Sequence, residues 1–145
     1  PCYPVLLDDA KGNFTDFEKN KEFLYEVLVS KGIYSVELIP GRNTFPILKD
    51  FVTYFRAKNF LITFGTEHNT PQLDPVKVSC SGGVELDADL KQIGFEGACI
   101  LAAHQYLVAK DQEGYLDSSG CAKRKEYDSF VQLGQAVISY FIKEQ

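Results

Sequence analysis

Residues 1–70 alternate between short runs rich in β-branched or aromatic residues and longer runs with helical periodicity, and this alternation constrains the fold most. Strand-like runs occupy residues 3–9, 33–39 and 60–64, with one helix-like segment between each pair. Short connections in a strand–helix–strand–helix–strand order are typical of parallel strands joined by right-handed crossovers. The sequence therefore predicts an α/β fold built on a βαβαβ unit with parallel strands.

The first helix of this unit carries signals at both ends. Thr15 followed by Glu18 forms a capping-box pattern, in which each side chain satisfies the backbone amide of the other residue. Lys31-Gly32 supplies a cationic last turn and then a residue suited to a left-handed cap. We therefore predict a helix over residues 16–30.

Beyond residue 70 the alternation gives way to helical segments joined by polar loops. Three segments with helical periodicity follow a loop-like stretch: residues 86–93, 95–109 and 126–143. We expect two regions, an α/β unit over 1–70 and a mostly helical region over 71–145 that packs on it. Because proteins usually cover exposed sheet edges, either this helical region folds over the sheet or two copies associate as a homodimer.

The composition of the chain limits the classes of partner that it is expected to bind. The chain has 145 residues with Lys+Arg 15 against Asp+Glu 20, so it lacks the basic field that nucleic-acid binding needs. No run approaches the roughly 18 uninterrupted apolar residues of a membrane span. We therefore expect neither nucleic acid nor membrane as a partner. The four cysteines have no CxxC spacing, which favours a reducing, cytoplasmic setting, and we expect no catalytic thiolate.

Polar side chains follow each of the three predicted strands. The first strand ends at Asp8 and Asp9, the second carries Glu37 and precedes Arg42, and the third leads into the polar segment 65–70. The carboxyl ends of parallel strands meet at one edge of a sheet, where ligands collect. The sequence therefore predicts a candidate site at this edge.

The loop after the third strand contains a candidate metal-binding pair. Glu67 and His68 supply oxygen and nitrogen ligands that suit a divalent metal such as zinc, manganese or iron. Adjacent residues of an extended segment point in opposite directions, so both face one ion only if the backbone bends between them. The alternative is an ordinary turn, with Gly65 for a tight backbone and Thr66 for local hydrogen bonds. Spacing alone leaves both interpretations open.

A candidate anion site precedes the second helix, which we predict to begin near Asn43 or Thr44. Free amides and the helix dipole favour an anion at a helix N-terminus, and Arg42 adds a planar guanidinium that suits a phosphate or carboxylate. The alternative is an ordinary strand-to-helix loop in which Asn43 or Thr44 is the N-cap. The remaining histidine, His104, shares an apolar helical stripe with Ile100, Leu101, Leu107 and Val108, which predicts a hydrogen-bonded core histidine.

Two stretches together resemble the C-terminal portion of a PHP (polymerase and histidinol phosphatase) domain. They are Gly32-Ile33-Tyr34-Ser35-Val36-Glu37-Leu38 with Arg42-Asn43, and Phe60-Leu61-Ile62-Thr63-Phe64-Gly65-Thr66-Glu67-His68. In that family a late strand with "gly-ile-glu-val" and an Asn or Arg is followed by a helix and a strand ending "gly-ser-asp-x-his". The resemblance covers roughly residues 30–70.

The resemblance implies the last part of a distorted TIM-like barrel that hydrolyses phosphoesters with bound metals. It implies that Glu67 and His68 bind metal, and that Arg42 and Asn43 bind the phosphate of a small phosphorylated substrate. Because three strands cannot close a barrel, it also implies that the partner is a missing N-terminal part of the same polypeptide, and that this chain alone is inactive. The alternative is a non-catalytic structural or interaction α/β domain whose polar strand ends are caps and turns.

Overall fold

The computed structural model describes residues 1–66 and 77–143. It divides into two compact units, Pro1–Ile93 and Gly94–Gln145, which we call unit 1 and unit 2. The mixed α/β class predicted from the alternation is confirmed, with a parallel sheet followed by C-terminal helices. Within the described ranges, no helix is both long enough and apolar enough to cross a membrane.

Unit 1 contains a three-stranded parallel sheet in the order β1-β2-β3, which confirms the three predicted strands. These are β1 (Tyr3–Pro4), β2 (Ser35–Leu38) and β3 (Leu61–Phe64). Glu37 in the central strand lies between Pro4 on one side and Thr63 on the other. β1 is much shorter than predicted because its apolar run continues past the hydrogen-bonded ladder into the loop at the carboxyl edge, whereas β2 and β3 differ from their predicted bounds by only one or two residues at an end.

The helix predicted over residues 16–30 is two helices, α1 (Asp16–Lys19) and α2 (Lys21–Ser30). They are separated by Asn20, whose backbone is not helical (φ −94°, ψ 88°). The Asn20 side chain accepts a hydrogen bond from the Phe23 amide at 3.0 Å. Asparagine competes in this way for nearby backbone groups, so it ends one helix and caps the next.

The remaining helices are longer. They are α3 (Phe45–Ala57), α4 (Ala88–Val108) and α5 (Tyr127–Lys143), with 3-10 turns at Pro40–Arg42, Ser81–Gly83 and Arg124–Glu126. The prediction of separate helices over 86–93 and 95–109 is wrong, since α4 continues through Gly94. A glycine inside a helix costs only about 1 kcal/mol, which the buried Leu90 and Ile100 on either side outweigh through packing.

The core of unit 1 lies against one face of the sheet. Val36 and Leu38 of β2 are buried with side chains from α2 and α3, notably Leu24, Phe51 and Phe55. The other face, which we call the open face, carries Pro4, Leu6, Glu37 and Thr63. Strand side chains alternate between the two faces, so the apolar positions of β2 point to the helices and Glu37 points away from them.

Unit 2 is held by a close contact between α4 and α5. A Cβ atom built on Gly134 would lie 1.8 Å from the backbone oxygen of Cys99, so no other residue fits at that position without a shift. The Tyr127 hydroxyl donates to the Glu96 carboxylate at 3.0 Å, and the rings of Tyr115 and Phe130 meet edge to face. The buried stripe of this unit therefore follows the crossing of the two helices.

Candidate functional site

The candidate site predicted from the sequence lies at the carboxyl edge of the sheet in unit 1. Glu67 and His68, the predicted metal ligands, lie outside the described residues, so their assignment stays a prediction. Across residues 1–66 and 77–143, no group of three or more His, Cys, Asp and Glu residues is arranged to hold a metal ion.

Asp9 caps the N-terminus of α3 from the loop after β1. The Thr44 amide donates to Asp9 Oδ1 at 2.7 Å, and the Thr44 hydroxyl donates to Asp9 Oδ2. Thr44 stands at the N-cap position, but its own side chain makes no capping hydrogen bond. A protein carboxylate thus occupies the position that an external anion would take at this helix end.

These contacts set the protonation state of Asp9. Desolvation by itself would raise the pKa of Asp9, but the hydrogen bonds from the Thr44 side chain and backbone and from Asn43 outweigh it. The net effect is a pKa below the usual value for aspartate. Asp9 is therefore ionised at neutral pH and offsets the positive end of the α3 dipole.

Asn43, one of the two residues predicted to bind phosphate, is 1% exposed. Its side-chain nitrogen donates to the Leu7 carbonyl at 2.5 Å and to Asp9 Oδ1 at 3.2 Å. Its carbonyl accepts from the Ser81 amide at 2.8 Å. Asn43 therefore joins the loop after β1 to two other segments, and this role is sufficient to explain its burial.

Arg42, the other predicted phosphate-binding residue, is half-buried in the 3-10 turn before α3. Its carbonyl accepts from the Ala10 amide at 3.1 Å, so its backbone also supports the loop after β1. The structure thus brings Arg42, Asn43 and Asp9 together at one edge. Phosphate binding by Arg42 and Asn43 stays a prediction.

Asp8 stabilises the turn that follows β1. It is 7% exposed, and its Oδ1 accepts from the Lys11 amide at 3.3 Å while its carbonyl accepts from Asn13 at 2.9 Å. The two adjacent acids thus have different hydrogen-bond partners. Asp8 accepts from backbone amides of its own turn, whereas Asp9 accepts from Thr44 at the start of α3. Neither carboxylate is directed at the other as a ligand pair.

Cys80 is buried in the loop packed against the 3-10 turn at Pro40–Arg42. Burial raises the pKa of the Cys80 thiol, and the negative charges of Asp9 and Asp87 raise it further. The thiol is therefore protonated at neutral pH, so it is not poised as a nucleophile.

A pocket of about 350 Å³ opens on the open face beside Glu37. The residues that line it come from all three strand ends: Pro4, Val5, Leu6, Glu37, Ile39, Gly65 and Thr66. A Cβ atom built on Gly65 would lie 3.0 Å from Glu37 Oε1, so the carboxylate rests directly on the Gly65 backbone. The predicted meeting of the second and third strand ends therefore occurs at Glu37, Gly65 and Thr66.

His104 differs from its prediction. Its Nδ1 atom is buried and has no hydrogen-bond partner among residues 1–66 and 77–143, and a Cβ atom on Gly114 would lie 2.1 Å from that nitrogen. The predicted stripe is also wrong in part, since Ile100 is buried but Leu101 and Val108 are 42% and 51% exposed. Within unit 2, the buried side of α4 carries Cys99, Ile100 and Ala103.

Sequence reasoning missed the main role of Glu18. The Thr15 half of the capping box is confirmed, with the Glu18 amide donating to Thr15 Oγ1 at 3.2 Å. The Glu18 carboxylate, however, is 2% exposed and accepts from the Leu6 amide at 2.6 Å and the Thr15 hydroxyl at 2.7 Å. It ties α1 to the exit of β1, and no local sequence signal marks a partner that far along the chain.

Comparisons of the chain with protein-family models, with curated proteins and with solved structures found no match.

Proposed function

We propose that this chain is the C-terminal portion of a PHP-like metal-dependent phosphoesterase. The observation that carries the proposal is a parallel sheet whose last strand leads through Gly65 and Thr66 into the sequence Glu67-His68. Ligand-binding residues of α/β proteins concentrate where parallel strands end. The two candidate metal ligands therefore follow the strand at the position where such chemistry is expected.

The open face supports the larger architecture. β1 and β3 are both edge strands of the described sheet, and Glu37 and Leu6 on the open face are exposed. Parallel sheets are normally covered on both faces and, in barrels, have no edges. Further strands from an N-terminal part of the same polypeptide would extend the sheet, and the chain alone would be inactive.

The proposed roles divide between two segments of the sequence. Glu67 and His68 would hold a divalent metal (zinc, manganese or iron), which when bound supplies a water activated near neutral pH for attack on phosphorus. Arg42 would place its guanidinium against the phosphate of a small phosphorylated substrate. Asn43 supports that loop through its hydrogen bonds to Leu7 and Asp9.

The test is the metal content of the intact longer polypeptide, measured by mass spectrometry. Replacing Glu67 and His68 together by alanine should remove about one metal equivalent per chain, because both ligands are lost. Replacing Asn69 and Thr70 together by alanine is the matched control, since it alters the same stretch of sequence without touching the candidate ligands. Absence of metal from the unaltered protein, or equal metal in all three proteins, would overturn the proposal.

A second candidate, a non-catalytic structural or interaction domain, is favoured by one specific observation. Three polar residues at the strand ends already have structural partners: Asp8 bonds within its turn, Asp9 caps α3, and Asn43 joins the loops. If the Glu67 and His68 double variant of the longer polypeptide kept both its metal content and its phosphoesterase activity, this second function would be preferred.

A further inference from the structure

We infer that the pocket beside Glu37 binds a small organic ammonium ion, with the apolar part of the ligand packed on the aliphatic lining. The volume of about 350 Å³ lies within the range of about 300–1,000 Å³ that is usual for small-molecule sites. The pocket also opens at the carboxyl edge of a parallel sheet, where α/β proteins usually bind ligands. The inference does not rest on the proposed function, because it requires neither a metal nor Glu67 and His68.

The charge of the pocket points to a cation. Of the described residues that line it, Glu37 alone is charged. Within residues 1–66 and 77–143, no side chain donates a hydrogen bond to the Glu37 carboxylate or forms an ion pair with it. Desolvation raises the pKa of the nearby Cys2 thiol, and the negative charge of Glu37 adds to that rise. A positively charged ligand group is the natural complement of this carboxylate.

The position of Glu37 in the fold is unusual for a glutamate. It lies in the central strand of a parallel sheet, with Pro4 opposite on one side and Thr63 opposite on the other. Central strands of parallel sheets are mostly apolar on both faces, and glutamate is disfavoured in strands. A residue that departs from the local rule without a structural partner is typical of a functional position.

Gly65 fixes the shape of the pocket. A Cβ atom at this residue would stand 3.0 Å from Glu37 Oε1, which is closer than a side chain normally comes. A larger residue would require the carboxylate to move by a few tenths of an ångström. The glycine therefore allows the carboxylate to rest on the backbone and to line the pocket.

The rest of the lining selects the apolar part of the ligand. Pro4, Leu6 and Ile39 surround the carboxylate, and Leu6 is 52% exposed despite its size. An aromatic or aliphatic group attached to the ammonium would cover Leu6 while the charge meets Glu37. Phenethylammonium has both parts, and 2-phenylethanol is its neutral counterpart with the same ring and chain.

The experiment is an NMR titration of the 145-residue chain with each of these two compounds, in buffer with EDTA and at fixed ionic strength. We expect phenethylammonium to shift the amide signals of Leu6, Gly65 and Thr66 in a saturable manner. We expect 2-phenylethanol to bind at least tenfold more weakly, because it lacks the charge.

Three variants sharpen the test. Glu37→Gln preserves the shape of the side chain but removes the charge, and it should weaken phenethylammonium binding at least tenfold. Gly65→Ala should weaken binding less than Glu37→Gln does, because it shifts the carboxylate slightly but leaves its charge in place. Glu26→Gln, at an exposed position of α2, makes the same change in net charge and should leave binding unaltered. The dispersion of the amide spectrum reports whether each variant is folded.

The inference is overturned if the unaltered chain gives no saturable shifts, or if 2-phenylethanol binds as tightly as phenethylammonium. Equal affinity in the Glu37→Gln variant also overturns it. Because metal is removed throughout, these outcomes are independent of the metal content that tests the phosphoesterase proposal.

Discussion

Asp9 connects two segments that are distant in sequence, and its removal should destabilise the chain. Asp9→Ala leaves the Thr44 amide without its capping oxygen and removes an acceptor of the Asn43 side chain. We expect a loss of about 1–2 kcal/mol in the free energy of unfolding, as for other lost N-caps. Urea denaturation measures it, with Asp16→Ala as a control because that side chain is fully exposed. Equal stability of the two variants would contradict a capping role.

The contribution of Asp9 should also depend on pH. Its folded pKa lies below the usual aspartate value of 3.8, so the ionised form is the one that stabilises the fold. The stabilisation is complete above that value and is lost as the pH falls through the folded pKa. The stability difference between the unaltered chain and Asp9→Asn should therefore be constant near neutral pH and shrink below about pH 3.8. A difference that stays constant down to pH 2 would contradict this account.

Glu18 should be equally sensitive to substitution although it was expected only to cap a helix. Glu18→Ala leaves the Leu6 amide without its acceptor in a buried place, which costs about 1–3 kcal/mol. Glu18→Gln keeps an acceptor oxygen and should lose less. Urea denaturation of both variants, beside the exposed Glu22→Ala, tests the order of stabilities. If Glu18→Ala and Glu22→Ala lowered the free energy of unfolding by similar amounts, the hydrogen bond between the Leu6 amide and Glu18 would not be stabilising.

At the scale of elements, most of the helices and strands could be predicted, because local sequence signals encode them. Periodicity placed the strands and α3 and α5 because one buried face imposes its spacing on the residues of each element. It missed the break at Asn20 and the continuity of α4 through Gly94, because both depend on contributions of about 1 kcal/mol that packing can reverse.

The candidate site was less predictable than the elements. Parallel topology was sufficient to expect strand ends at one edge, and Glu37 does meet Gly65 there. The capping of α3 by Asp9 was not predictable, because spacing encodes partners within a turn or two and not across a helix and a strand. Whether Glu67 and His68 bind metal depends on a bend between adjacent residues that the sequence does not specify.

The α4–α5 contact provides a prediction at the same scale. Alanine normally favours a helix over glycine by about 1 kcal/mol, so Gly134→Ala would stabilise an uncrowded helix. Here the added methyl group would meet the Cys99 backbone, and we expect a loss of roughly 3 kcal/mol or more instead. Thermal unfolding followed by helical circular dichroism shows the sign, with the exposed Gln135→Ala as control. A stabilised Gly134→Ala would mean that the helices do not meet at this residue.

At the scale of the whole molecule, the two units differ in how their parts are joined. Unit 2 is a helix pair fixed by one close crossing, and unit 1 is a sheet with polar contacts concentrated at one edge. Asp9, Asn43 and Glu18 supply stability, whereas Glu37 has no such task among the described residues. Stability and binding in unit 1 are therefore assigned to different side chains, and variants can separate the two properties.

The parallel pairing of the sheet also has a kinetic consequence. Each pairing joins strands separated in sequence by helical segments, so no part of the sheet forms by a local turn. The conformational entropy of loop closure is lost before the strands pair and stabilise each other, so such topologies fold slowly. Before β2 pairs with β1 and β3, its unpaired backbone groups can form hydrogen bonds with another chain, which leads to aggregation. Refolding yield of this protein should therefore fall as its concentration rises, even though the native chain pairs β2 on both sides.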